Sequence, residues 1–179
     1  MSRARMYLIG ALTVLLVAAS GCSGNARQTS APSAAPRPGS VWVADEGADS
    51  ISVIDAATNA VRMTLNGIKA PHNIQVGRDG AVVFAVSSAG VVVAIDPMTY
   101  RVTATAPTGA QPAHVIEAPN GKVYVTNSGD GTVSVYQAPG LSPAGRITLS
   151  GMPHGLRPAA GGSVIVVANT MNGALDLID

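Results

Sequence analysis

Apolar and polar positions divide this chain into three stretches. A charge-free apolar run from Met6 to Ala19 follows Arg3 and Arg5. Ser, Ala, Pro and Gly then dominate Ser23 to Gly39, with two arginines and no large apolar side chain. From Ser40 to Asp179 the pattern changes to short runs rich in Val, Ile and Thr, each bounded by Gly, Asn, Asp or Pro. Runs and boundaries of that kind predict β-strands joined by tight turns. No segment after the first apolar run keeps a helical period.

The strand-like runs recur. Val41-Trp42-Val43-Ala44-Asp45 aligns with Val82-Val83-Phe84-Ala85-Val86 and with Val123-Tyr124-Val125-Thr126-Asn127, without a gap between copies. Pro71, Pro112 and Pro153 keep the same step, as do Gly80, Gly121 and Gly162. A fourth copy starts at Ile165, displaced by one position. In the third copy the spacing predicts strands over 112–117, 123–127, 132–136 and 145–149. Between the second and third strands of each copy lie turn residues, such as Gly129-Asp130-Gly131, that tolerate the positive φ of tight hairpins. After the third strand, Asp55 and Asp96 are placed to cap the following turn. The third copy has Gln137-Ala138-Pro139-Gly140 there, which predicts a longer, uncapped loop. Four antiparallel strands in every repeat of roughly 41 residues is the pattern of a β-propeller blade. The expected fold is therefore all-β, a partial propeller of about three and a half blades.

The run from Val123 to Val135, in which Tyr124-Val125-Thr126-Asn127 spell the tetrapeptide, resembles the YVTN-type propeller repeat. Ile54 to Asn59 and the starts Pro71-His72-Asn73 and Pro153-His154-Gly155 share the likeness. The resemblance implies a seven-bladed ring, which needs about twice the length of the stretch from Ser40 to Asp179. Counted from the channel outward, the first unit starts at its second strand and the last stops at its third. Three readings are open: a sequence truncated relative to its family, a compressed four-bladed ring, and an assembly with a second copy or another chain that completes the ring. The first is the expectation.

The N-terminal apolar run is too short for a bilayer-spanning helix, which takes roughly 20 residues. A basic start, a short apolar core and small residues at its end define a signal peptide over 1–21. Ala19-Ser20-Gly21-Cys22 resembles the bacterial lipobox, which implies cleavage before Cys22 and a lipid on its thiol. Cys22 is the only cysteine, so it has no intrachain disulfide partner. Residues 22–39 then read as a flexible tether and 40–179 as one folded domain. The expected location is the cell membrane or envelope, extracytoplasmic and lipid-anchored.

Charge narrows the partners. Residues 40–179 carry seven Lys/Arg against ten Asp/Glu, a formal charge of −3, with no basic cluster. Nucleic acid, which needs phosphate-neutralising charge, is excluded as an expected partner. All three histidines of the chain, His72, His114 and His154, follow a repeat proline at the start of the innermost strand. They read either as turn residues or as ligands for a divalent metal such as zinc or copper, which suit imidazole. His114 lies one place further from its proline than the other two, and a strand period of two would turn its side chain to the opposite face. Pro153-His154-Gly155 also resembles the streptogramin-lyase-type propellers, which implies a channel general base, His154 first and His72 second. Lactonase-type propellers are a further enzymatic likeness without a transferable residue. Asp45, Glu46 and Asp49 crowd one turn, where oxygen ligands for calcium or solvated turn residues are the alternatives. No phosphate loop or Gly-X-Ser-X-Gly elbow occurs. The first functional expectation is an envelope-anchored module that binds a protein or small molecule; the second is a propeller lyase or lactonase.

Overall fold

The computed structural model describes residues 39–179; the expected signal peptide, Cys22 and the expected tether as far as residue 38 lie outside the described residues. Fourteen strands form four antiparallel sheets, each a meander. The first holds β1 (Ser40–Asp45), β2 (Ser50–Asp55) and β3 (Ala60–Asn66). The second holds β4 (Pro71–Val76), β5 (Val83–Ser87), β6 (Val91–Asp96) and β7 (Arg101–Pro107). The third holds β8 (Pro112–Glu117), β9 (Lys122–Asn127), β10 (Thr132–Gln137) and β11 (Ser142–Thr148). The fourth holds β12 (Pro153–Ala159), β13 (Val164–Asn169) and β14 (Ala174–Ile178). The expected progression of three, four, four and three strands is therefore observed. Among the described residues, no helix is long and apolar enough to cross a membrane.

Register departs from the gapless repeat in the second sheet. Hairpin pairing places Ser87 where Asp45, Asn127 and Asn169 stand, each being the last residue of its strand (Asp45↔Ser50, Ser87↔Val91, Thr132↔Asn127, Asn169↔Ala174). The second-sheet strand is thus Val83–Ser87, not 82–86. Its hairpin is one residue shorter, and the turn before it, 77–82, is one longer than its counterpart, 118–122. The reason lies in the pleat: a one-residue slip sends every side chain to the other face. In the observed register Phe84, Val86, Val92 and Ala94 all pack toward the third sheet. The gapless register would have turned Phe84 and Val86 the other way.

The third copy's loop is also not longer. Leu141 N–H bonds to the Gln137 carbonyl at 2.9 Å, as Asn59 does to Asp55 and Tyr100 to Asp96 at 2.8 Å. Asn59, Tyr100 and Leu141 share left-handed φ values of 57°, 59° and 57°. Asp55 and Asp96 do cap their turns, their Oδ1 atoms accepting from Ala57 and Met98 N–H at 2.9 and 2.7 Å. Gln137 supplies no such bond, yet the turn keeps its length because the backbone closure carries it. The outer strand β11 consequently starts at Ser142 rather than 145. Its pairing contains a bulge at Val135/Tyr136, which the first two sheets repeat at Val53/Ile54 and Ala94/Ile95. A bulge re-aims the strand and increases its twist, so the twist belongs to the repeat.

Successive sheets pack face to face through three apolar clusters. Ile51 and Val53 meet Val83, Ala85, Val93 and Ile95 between the first and second sheets. Phe84, Val86 and Val92 meet Val115, Val123, Val125 and Tyr136 between the second and third. Tyr124, Val133 and Val135 meet Leu156, Ile165, Val167 and Ile178 between the third and fourth. Each fully buried aliphatic side chain here contributes roughly 1.5–3 kcal/mol. The fourth sheet does not pack back on the first. Leu175 and Leu177 on its outer face are 69% and 67% exposed, and Val41 and Val61 of the first sheet are 50% and 61% exposed. The compressed four-bladed ring is thereby excluded: the sheets form an open arc.

Candidate functional site

The innermost strands β4, β8 and β12 lie side by side, and each starts at a repeat proline. Side chains of neighbouring sheets hold them together. Asn73 Oδ1 accepts the Val115 N–H at 3.0 Å, tying β4 to β8. The hydroxyl of Thr126, fully buried, accepts the His114 N–H at 3.1 Å and donates to the His154 carbonyl at 2.5 Å. Ser128 Oγ donates to the Pro153 carbonyl at 2.7 Å. These polar groups fix the backbone that carries the histidines. Thr126 and Asn127 are visible in the sequence as the polar end of an apolar strand; their role as ties is not. Asn127 is fully buried, accepting the Gly109 N–H at 3.0 Å and donating to Thr132 and Ser134 hydroxyls at 2.9 and 3.0 Å.

His72, His114 and His154 converge. Ring centroids are 6.1 Å apart for His72 and His114, 5.8 Å for His72 and His154, and 4.9 Å for His114 and His154. One ligand nitrogen from each lies within 4.8 Å of the others. The expected flip of His114 does not occur. Pairing between β8 and β9 shifts between Pro112 and Val115, a bulge at which the strict alternation of side chains fails. The same irregularity follows Pro71 and Pro153. Ala70 and Gln111, which precede two of the repeat prolines, are left-handed at φ 34° and 50°. Non-glycine residues in that region carry backbone strain of order 1–3 kcal/mol, held by the surrounding structure.

His114 is the most enclosed of the three. Its Nδ1 is buried without a hydrogen-bond partner. Burial, followed by the charges of His154, Arg157 and His72, pushes its pKa down to about 4. The ring is therefore neutral at physiological pH, with a lone pair free. His72 is more open, and its Nδ1 lies 3.4 Å from Glu46 Oε2. Sequence reasoning places Glu46 in the acidic turn with Asp45 and Asp49, and the structure divides that group. Asp45 Oδ2 accepts from Ser52 at 2.6 Å, and Asp49 accepts from Lys69 and the Ala70 N–H at 2.8 and 2.9 Å. These carboxylates answer neighbouring donors instead of gathering for calcium. Among the described residues, the three histidines are the group whose donor atoms lie close enough together to be able to hold a metal ion.

Two hollows meet at this cluster. A cleft of about 310 Å³ at the mouth is lined by Glu46, His72, Ser88, Gln111, Met152 and His154 among others. A second, of about 340 Å³, runs from His114 and Gly155 over Val166, Ala168 and Leu175 on the free face of the fourth sheet. The mouth cleft mixes imidazole, carboxylate, amide, hydroxyl and thioether groups, so it can orient a small polar ligand. Cys22 lies outside the described residues.

No family model and no curated protein matches the chain. Solved structures do. Hydrazine synthase from Kuenenia stuttgartiensis is similar with a TM-score of 0.74 at 19% identity, over 89% of this chain and 49% of that one. The WD40 β-propeller domain of Doa1 is similar at 0.69 and 18%, over 82% of this chain and 48% of that one. Dihydro-heme d1 dehydrogenase NirN, in complex with DHE, follows at 0.65 and 19%, over 81% of this chain and 35% of that one. The chain thus spans about half of the first two relatives. Identities of this order carry the fold alone, and with the four meanders and their face-to-face packing they make the described domain a partial β-propeller.

Proposed function

We propose that this protein is a lipid-tethered, extracytoplasmic binding module of the YVTN-repeat type, whose recognition site is the mouth cleft. The observation that carries the reading is the convergence of His72, His114 and His154 from three adjoining inner strands. Inner-strand starts that served only as turns would have no need to bring three imidazoles together, one of them partly desolvated. A rigid sheet scaffold presenting a cleft from its loops and strand ends is the common arrangement for recognition. The N-terminal motif ending at Cys22 supports tethering.

Two measurements test this. Cys22→Ser should move the chain from the membrane fraction to the soluble extracytoplasmic fraction and abolish palmitate labelling; retention on the membrane would overturn the anchor. A thermal-shift screen of small polar and anionic metabolites against the full chain should give stabilising compounds whose effect is lost in Ser88→Trp, which fills the cleft. Compounds that stabilise both equally would place recognition elsewhere. A second reading rests on His72 and His154 both facing the cleft: a lyase or lactonase with His154 as general base, within reach of a substrate proton. Under that reading His154→Ala abolishes turnover of a ligand identified by the screen.

A further inference from the structure

We propose that His72, His114 and His154 form a three-imidazole site for a first-row divalent transition metal, zinc or copper(II), with its open position toward the mouth cleft. The inference rests on the cleft being the recognition site and names the chemistry at its floor. Four observations support it. The three nitrogens lie within 4.8 Å of one another. Nitrogens at about 2.0–2.1 Å from a tetrahedral zinc sit about 3.4 Å apart, so closure takes side-chain swings of about an ångström and no backbone shift. His114 Nδ1 is a buried polar atom without a partner, and a bulge after the proline of each inner strand breaks the side-chain alternation there, so His114 meets the other two despite its offset. Glu46 adds a carboxylate 3.4 Å from His72 Nδ1. A carboxylate on Nδ1 fixes the tautomer that leaves Nε2 free for a metal, the usual support of a metal-binding histidine.

The donor set selects the metal. Imidazole suits zinc and copper, whereas magnesium and calcium require oxygen ligands. Arg157 shares the second hollow with His114, and its positive charge works against a divalent ion. Glu46 stands on the other side with the opposite charge. Three protein nitrogens leave a fourth position for water or for a ligand atom, the arrangement of an accessible rather than a closed metal site. Glu46 is a positioning residue here, acting through His72.

The test uses the full chain carrying Cys22→Ser, so that no thiol competes, stripped with a chelator and titrated calorimetrically with zinc, copper(II) and magnesium. One zinc or copper per chain and no magnesium is expected, with the affinity falling at least 100-fold in His72→Ala and in His114→Ala. Glu46→Gln, which leaves the three ligands in place, should weaken binding by about 10-fold and shift the pH at which the metal is released. His72 is exposed, so His72→Ala remains informative if His114→Ala fails to fold. Failure of a folded apo chain to bind either metal would overturn the inference, as would affinity unchanged by both alanine variants. Compounds from the thermal-shift screen that still require an open cleft would then leave the recognition reading standing by itself.

Discussion

Equivalent positions in neighbouring sheets can have very different neighbours, which allows a sharp test of the open arc. Val133 in β10 and Leu175 in β14 occupy the same blade position: Val133 pairs with Thr126 and Leu175 with Ala168, the matching residues of β9 and β13. Val133 is fully buried against the fourth sheet, whereas Leu175 is 69% exposed. Val133→Ala removes two buried carbons, worth about 1.6 kcal/mol in transfer at ~0.8 kcal/mol each. The cavity left behind raises the cost to about 2–3 kcal/mol. Leu175→Ala removes three carbons, but only about a third of their surface is buried, so the cost is about 0.7 kcal/mol. Urea unfolding of the full chain with Cys22→Ser, followed by circular dichroism, measures both. A Leu175→Ala loss of about 2 kcal/mol or more, the range of a leucine truncated in a core, would refute the open face. It would show that another surface covers the fourth sheet in solution.

Other consequences follow from single groups. Asn127→Ala removes the acceptor of the part-buried Gly109 N–H and the buried donor to the Thr132 and Ser134 hydroxyls, of which Thr132 still donates to Asp130, so stability should fall by about 1–3 kcal/mol. A loss below about 0.5 kcal/mol in urea unfolding, on the order of an ordinary surface change, would contradict the role given to that side chain. His114 titrates at about 4 when folded and near 6.5 when unfolded. The unfolded chain therefore binds the extra proton between those values, and the metal-free protein loses stability as pH falls through that window. The full shift corresponds to about 3 kcal/mol, reduced to ~1–2 kcal/mol because the ring is only half-buried. In His114→Gln that part of the pH dependence should vanish, and an unchanged slope across the same window would refute it. Gly131 has φ 68°, and a Cβ there would stand 2.7 Å from the Leu149 carbonyl oxygen. Gly131→Ala should consequently lower the urea midpoint by more than Gly140→Ala, whose Cβ meets open space; equal midpoints would contradict the strain assigned to that turn.

Strand period, repeat prolines and turn residues make the four meanders legible in the sequence, because each is a local signal. The one-residue slip in the second sheet is hidden by composition. Val82 to Val86 and Val83 to Ser87 are both acceptable strands, and only face-to-face packing of Phe84 and Val86 decides between them. Ser87 also conceals the slip, since its equivalents are Asp45, Asn127 and Asn169. The missing aspartate at Gln137 points to a longer turn, although the backbone over 137–141 closes without a cap. At the site, the three histidines are readable as a set from their prolines. Their convergence is not, because it depends on the bulges that follow all three prolines and on ties from Asn73, Thr126 and Ser128 that span sheets. Glu46 reaches His72 from 26 residues away, a separation at which sequence spacing carries no geometric information.

Metal K-edge X-ray absorption on the zinc- or copper-loaded full chain tests most directly whether the inner strands bring three imidazoles to one point. Three converging imidazoles predict nitrogen ligands at about 2.0–2.1 Å for zinc, outer-shell scattering from three rings, and loss of one ring's contribution in His72→Ala. A spectrum of oxygen ligands with one imidazole or none would contradict that convergence, and would leave the three histidines a structural role at the starts of their strands.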